Sequence, residues 1–554
     1  MKKNSAFIWN LTLLVFLLFS FQIGYGQLRN RNFEIGKNIE IFVDVFKQVN
    51  SNYVDDIDPG DFMKTGLVEL LKTLDPYTNY ISESEIEDFR IATTGQYGGI
   101  GALIHTDGEH IVITDPYKNS PAKRAGIKAG DIVLSVNGKS AIGLSSEDIS
   151  QLMKGVVGGK VDLVIKRFGE EKLLNFSIIR EVINIESVDY FEKLNQDIGY
   201  VKLDGFTPNS ASKVRDAINN MRKEGKMKGL ILDLRDNGGG LLGEAVDLVN
   251  LFVKPGLEVV SMRGQIPSAN QTFRTRNQPL DTDIPIVVLV NEQSASSSEI
   301  VSGALQDLDR AVIMGQRTYG KGLVQNVLPL VYNTQLKVTI AKYYIPSGRC
   351  IQAVDYSHKN ALGKWDIVPD SLITKFQTLG GRPVYDGAGI EPDVITTAYL
   401  LNDITIALVA QHILFNFATQ FYYKNPIIPQ FEIFEINDDI WNQFLKWVNE
   451  NENTYKTAEQ ILLTGLEEYY KNDKKTPSDK IAATMETLQK QLQENKITVI
   501  QENKKEICRL LKMEILSRYY EYDQYIKFYV ELDDEIQKAK NLLLNDKEYK
   551  TLLK

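Results

Sequence analysis

A chain of 554 residues, 43% hydrophobic and 24% charged, is too long for one hydrophobic core and too apolar to be wholly disordered. Roughly three or four folded domains are expected from that length. A formal net charge of -9 disfavours a nucleic-acid role. The two cysteines, Cys350 and Cys508, can make neither a disulfide framework nor a four-cysteine zinc site, and no structural metal is expected.

The N-terminus carries Lys2 and Lys3, then an apolar run over 7–21 broken only by Asn10, Thr12 and Ser20, then Gly24-Tyr25-Gly26 before Gln27. This is the pattern of a secretory signal over 1–26. The run is shorter than the ~20 residues that span a bilayer comfortably, and no cysteine follows to take a lipid. Export to the periplasm or cell envelope is expected. Over 27–91, Ile41, Val45, Val49, Phe62, Leu67, Leu70 and Leu71 recur at helical spacing, with Asp58-Pro59-Gly60 and Leu74-Asp75-Pro76 as breaks. A small helical domain is predicted. Its apolar stripes are read first as core packing, with a homodimer as the alternative.

Between 92 and 181 the pattern changes to short strands and glycine turns. Gly98-Gly99-Ile100-Gly101 precedes a strand at His110-Ile111-Val112-Ile113, and Ser120-Pro121-Ala122 opens a short helix. The next strand, 131–136, ends in the Asn137-Gly138 turn. A second helix over 146–154 presents Ile149, Leu152 and Met153 on one side, and strands at 161–166 and 173–179 close the segment. This order resembles a PDZ domain. The resemblance implies that N–H groups of Gly98, Gly99, Ile100 and Gly101 meet the terminal carboxylate of a protein tail lying beside Ile149 and Leu152. Over 182–398 strands alternate with helices, the signature of an α/β core with crossover helices. From 399 to 554 the spacing is helical and carries no recognisable chemistry.

The strand at 286–290 runs into Asn291-Glu292-Gln293-Ser294-Ala295-Ser296-Ser297-Ser298-Glu299, and helical spacing follows. A hydroxyl at a strand-to-helix turn sits where free N–H groups stabilise a developing oxyanion. The competing reading is a helix cap, with Glu299 completing a capping box on Ser296. A nucleophilic serine needs a base. None of the four histidines, His105, His110, His358 and His412, stands in a strand-loop context that recommends a triad. A lysine serves if burial favours its neutral amine. Lys321, between Gly320 and Gly322, is the candidate, although a lysine between glycines is also a common surface turn.

These segments resemble the carboxyl-terminal processing peptidases, or tail-specific proteases. The motifs are Ser294 to Val301, Ala304-Leu305-Gln306-Asp307, Arg310-Ala311, Thr318 to Gln325, Leu232-Asp233-Leu234-Arg235-Asp236-Asn237-Gly238-Gly239-Gly240, Ala341 to Arg349, and Gly387 to Asp393. The resemblance runs over about 33–394. It implies an α/β multidomain peptidase with Ser296 as nucleophile, Lys321 as general base and Gln325 orienting the lysine. An oxyanion hole from the Ser297 N–H and that of Gly238 or Gly239 is also implied. Many relatives have alanine where this chain has Ser297, so Ser294, Ser297 and Ser298 are controls. No cofactor is implied. Partners would be protein substrates held by their C-terminal tails, with an adaptor protein left open. Two rival readings are a non-catalytic PDZ scaffold on the same fold and a histidine-dependent esterase, for which no G-x-S-x-G elbow is present.

Overall fold

The computed structural model describes residues 31–554 apart from 196, 360–363, 399, 452–454 and 473–476, so the expected signal over 1–26 lies outside the described residues. The chain divides into two units, the described residues up to Ser82 with Leu328–Lys337, and Glu83–Val327 with Val338–Lys554.

The first unit is helical over 31–52 and again at Pro59–Leu71. Asp58 accepts the Asp61 N–H at 2.9 Å and Pro59 opens the second helix, the usual chemistry of a helix start. Phe46 and Phe62 stack at 5.8 Å. Strand Asn79–Ile81 pairs antiparallel with 335–337. Packing does not account for the apolar stripes. The helix Pro59–Leu71 has no buried residue, and Phe33, Ile39 and Val45 are 65%, 59% and 54% exposed. The first reading of these stripes, as core residues, is corrected.

In the second unit, helix Ile86–Thr94 leads into the PDZ domain, whose antiparallel strands run Ala102–Asp107, His110–Pro116, Ile132–Val136, Lys160–Lys166 and Leu174–Ile179 in sheet order. Ile111, Ile113, Val133, Val161, Leu163 and Ile165 form its core with Ile149 of helix Ser146–Met153. Asn137 and Gly138 both have positive φ, as a tight hairpin turn requires.

The α/β core is a six-stranded sheet ordered Val188–Leu194, Ile198–Leu203, Gly229–Asp233, Ile286–Val290, Val312–Gly315 and Val394–Ile395, parallel except for its first edge pair. Side chains alternate between its faces. Leu230, Leu232, Ile286, Val288 and Val290 face helices Ser210–Lys223, Leu242–Asn250 and Ser297–Asp307. Ile231, Val287, Leu289, Val312 and Met314 face the other way, onto Ile536, Ala539, Leu542, Leu543 and Tyr549. These belong to helices Asp534–Leu544 and Asp546–Leu552. The core predicted to end at 398 is therefore completed by the last helices of the chain. Tyr549 pins the arrangement, its hydroxyl accepting the Ile286 N–H at 2.9 Å and donating to the Ile286 carbonyl at 3.0 Å.

A second cluster, from Ile404 to Leu516, forms a separate helical core. It abuts the PDZ domain, where His412 stacks on His105 at 3.7 Å and Asn416 donates to Asp107 at 3.0 Å.

Candidate active site

Strand Ile286–Val290 delivers the chain into a turn in which four serines have distinct surroundings. The Ser294 hydroxyl donates to the Leu234 carbonyl at 2.7 Å, Ser297 to Gly240 at 2.9 Å and Ser298 to Asn237 at 2.8 Å. These three hydroxyls stitch the turn to the neighbouring loop 234–240. Ser296 donates to no backbone carbonyl among the described residues. It holds φ 56° and ψ -112°, outside the ordinary wells, immediately before helix Ser297–Asp307. Such a conformation costs on the order of 1–3 kcal/mol and persists where the surroundings over-determine it.

Glu299 supplies much of that determination. Its fully buried carboxylate accepts the Ser296 N–H at 2.8 Å and the Lys321 N–H at 2.9 Å on one oxygen. The other oxygen accepts the Gly320 N–H at 2.7 Å and the Thr318 hydroxyl at 2.6 Å. Because Ser296 and Lys321 share an oxygen, their backbone nitrogens lie no farther apart than those two bonds laid end to end. Burial pushes the Glu299 carboxyl above its ordinary range, against hydrogen bonds that pull it down. The capping-box reading thus captured one bond of four.

Lys321 is half-buried at the end of the loop that leads into strand Leu323–Pro329, a loop whose glycines are sterically required. A Cβ on Gly320, at φ 84°, would lie 2.3 Å from the Ala353 Cβ. Gln325, on strand Leu323–Pro329, donates its amide to the Thr339 hydroxyl at 3.2 Å.

The loop 234–240 passes directly over the serine turn. A Cβ on Gly239, at φ 100°, would stand 2.8 Å from both the Ser296 Cβ and the Ala295 carbonyl oxygen. The Gly239 N–H is taken by the Asn237 side-chain oxygen at 2.9 Å. Neither Gly238 nor Ser297 has a bonded N–H among the described residues. Asn237 itself is buried, with its amide donating to the Leu203 carbonyl at 2.7 Å. At the far end of helix Ser297–Asp307, Asp307 and Arg349 form a buried ion pair at 2.9 Å, which joins two of the motifs that carried the resemblance.

The tail-binding set is only partly brought together. Gly98 and Gly99 belong to strand Gln96–Gly99, paired with Glu181–Asn184, and do not form the turn expected of them. Gly98 is glycine because the Gly155 carbonyl oxygen would lie 2.1 Å from a Cβ there. The turn is made at Ile100 and Gly101, the latter at φ 73°. Ile100 and Ile149 are buried in the PDZ core, where their apolar side chains are worth more than at a groove, while Leu152 is partly exposed. Ala102–Asp107 is an edge strand, the place where an added strand docks. As to the histidines, His105 is engaged with His412 and Thr114. The side chain of His358 lies outside the described set.

Sequence reasoning gave Glu299 only the role of a helix cap and left Arg235, Asp307 and Arg349 without one. All four lay inside the quoted motifs, but only burial and partners distinguish them from surface charges.

Three family profiles match the chain: Peptidase family S41 over 197–358, a PDZ domain over 112–167, and the C-terminal helical domain of a probable PDZ-protease over 404–543. The chain is 37% identical over 321 residues to the carboxy-terminal-processing protease of Bartonella bacilliformis, covering 57% of this chain and 73% of that protein. A probable CtpA-like serine protease of Staphylococcus aureus is 34% identical over 348 residues, covering 62% and 67%. Among solved structures, the photosystem II D1 C-terminal processing protease is 27% identical, with a TM-score of 0.35 over 64% of this chain and 92% of that one. With its PDZ domain, α/β core and helical C-terminal domain, this chain belongs to the carboxy-terminal-processing proteases of peptidase family S41.

Proposed function

We propose that the protein is an exported serine endopeptidase that holds substrates by their C-terminal tails and cleaves them with a Ser296-Lys321 dyad. The observation that carries this reading is the division among the four serines. Three hydroxyls are consumed in main-chain hydrogen bonds, whereas Ser296, strained at a helix N-terminus, shares the Glu299 carboxylate with Lys321.

In the reaction, the neutral amine of Lys321 takes the proton of Ser296 as its oxygen attacks the scissile carbonyl. The new oxyanion is met by the open N–H groups of Ser297 and Gly238, reinforced by the helix N-terminus. Gly238 is preferred over Gly239 because the Gly239 N–H already has an acceptor in Asn237. Collapse of the tetrahedral species expels the amine, which takes the proton from the Lys321 ammonium and leaves an acyl group on Ser296. Water, deprotonated by the same lysine, then frees the product. In this scheme the Gln325 amide orients the lysine. Substrate tails add a strand at Ala102–Asp107, near Gly101 and Leu152.

Export rests on the charged and apolar pattern of 1–26. Self-association rests on the exposed stripes of the first unit, and a sedimentation measurement that finds only monomer at every concentration would remove it.

The dyad is tested by cleavage of an unfolded reporter with an apolar C-terminal tail. Wild type cuts it, while Ser296→Ala and Lys321→Ala do not, and Ser294→Ala, Ser297→Ala and Ser298→Ala retain activity. An active Lys321→Ala would remove the lysine as general base and reopen the histidine-dependent reading, whereas an inert wild type that still binds the tail would return the chain to the scaffold reading.

A further inference from the structure

The loop 234–240 is held on one side by the serine turn. On the other it is held by a helix that lies 298 residues away in sequence. Arg235 is the link. One edge of its guanidinium clasps Asp233, with Nη2 at 2.6 Å and Nε at 3.0 Å. The remaining nitrogen, Nη1, reaches Asp533 at 3.0 Å and Glu535 at 2.7 Å. A planar fork bound on two edges fixes both its position and its tilt.

Asp233, buried in the central strand and bonded to the Tyr200 hydroxyl, holds one edge of the guanidinium, and the other edge needs a fixed point of its own. The fixed point is the helix Asp534–Leu544, seated on the sheet by Ile536, Ala539, Leu542 and Leu543. Glu535 also accepts the Gln316 amide at 2.6 Å on its other oxygen, so it ties the loop to the end of strand Val312–Gly315. Just after Arg235 the chain reverses at Asp236, φ 63°, and two residues later presents the Gly238 N–H. A shift of the guanidinium is therefore passed on within one turn.

We propose that Asp533 and Glu535 are positioning residues for hydrolysis, acting through Arg235 to hold the Gly238 N–H where the oxyanion forms. This rests on the dyad reading above. The helical C-terminal domain then takes part in the geometry of the reaction, in addition to covering the sheet. A buried ion pair is a weak source of net stability, since desolvation offsets much of its attraction. A placement role accounts better for three carboxylates converging on one arginine.

The test uses the full chain with Asp533→Asn and Glu535→Gln, singly and together. Asn is as good a helix cap as Asp, so Asp533→Asn keeps the N-terminal bonds to Glu535 and Ile536 while weakening the ion pair. Ile515→Ala, in the separate helical core, serves as a control for general destabilisation. The double variant is expected to lose at least about tenfold in kcat on the reporter with little change in KM, a fraction of the cost of removing an oxyanion donor outright. Amide hydrogen exchange over 234–241 should quicken by about the same factor, while the thermal midpoint falls no more than in the control. An unchanged kcat, or a loss equalled by Ile515→Ala at the same midpoint, overturns the proposal. If wild type cuts nothing, or Ser296→Ala still cuts, the dyad reading has failed and the exchange measurement decides this inference alone. Unchanged protection over 234–241 would then reject it. Should the double variant not fold, Glu535→Gln decides by the same readouts.

Discussion

The two faces of the central sheet are covered by different parts of the chain. One is packed by helices Ser210–Lys223, Leu242–Asn250 and Ser297–Asp307, each a crossover between strands of the same sheet. The other is packed by helices Asp534–Leu544 and Asp546–Leu552, which arrive after the separate helical core has intervened. Both faces bury apolar residues, the first more than the second, and only the first carries the serine turn. The first face assembles from neighbours in sequence and carries the candidate site. The second closes over long separations and, through Arg235, reaches the same loop from behind.

Removing 534–554 should break this comparison most completely. The larger side chains lost from the second face are worth about 1.5–3 kcal/mol each when buried, together comparable with the net stability of a domain. Loss of the cooperative thermal transition of the core, with rapid proteolysis inside 198–315, is expected. A shortened chain with the wild-type midpoint would show the second face to be dispensable.

On the first face the sharpest break is Glu299→Gln. An amide would turn its NH2 toward donors that now meet a carboxylate oxygen, displacing Ser296 relative to Lys321. Turnover should fall about a hundredfold, the scale of a small misplacement of reacting groups. Reporter cleavage by the folded variant at an undiminished rate would disprove this.

Leu248→Ala and Leu543→Ala compare the faces directly, one residue from each cluster. Each should cost about 2–5 kcal/mol in urea unfolding. A much smaller loss for Leu543→Ala would mean that the late helices are appended to a core that stands without them.

The smallest effect concerns the docking of the helical core on the PDZ domain. Burial, with His412 beside it, holds the His105 imidazole down at about 4, while Asp107 pulls it upward and Arg518 adds to the depression. The folded protein therefore binds fewer protons than the unfolded chain between about pH 4 and the ordinary histidine value near 6.5. Stability rises with pH across that window and is lost on acidification through it. From pH 7 to pH 5 the His105→Gln protein should lose roughly 2–4 °C less in thermal midpoint than wild type. Identical losses would mean that the stacked pair carries no proton linkage.

Much of the site was legible because its chemistry is written in short, rigid motifs. Gly239 and Gly320 are glycines for a steric reason that no other residue satisfies, so the motifs around Ser296 and Lys321 are distinctive enough to carry the family resemblance from which the two residues were assigned. The tail-binding residues were less legible. An apolar residue on a helix face, such as Ile149, reads the same whether it faces a groove or a core, and here it faces the core. The exposed stripes of the first unit posed the same ambiguity with the opposite outcome.

The sequence by itself determined the order of strands and helices, the PDZ and α/β regions, and the serine, lysine and glycine positions at the candidate site. Those features depend on local periodicity, turn chemistry and backbone sterics, all of which act within a few residues. Only the tertiary structure decided which serine is left without a main-chain acceptor, which glycine N–H stays open, and which part of the chain covers the second face of the sheet. These depend on hydrogen-bond partners and apolar surfaces that meet across large sequence separations, where a polar group's bonding and a side chain's burial are set by whatever the fold places opposite.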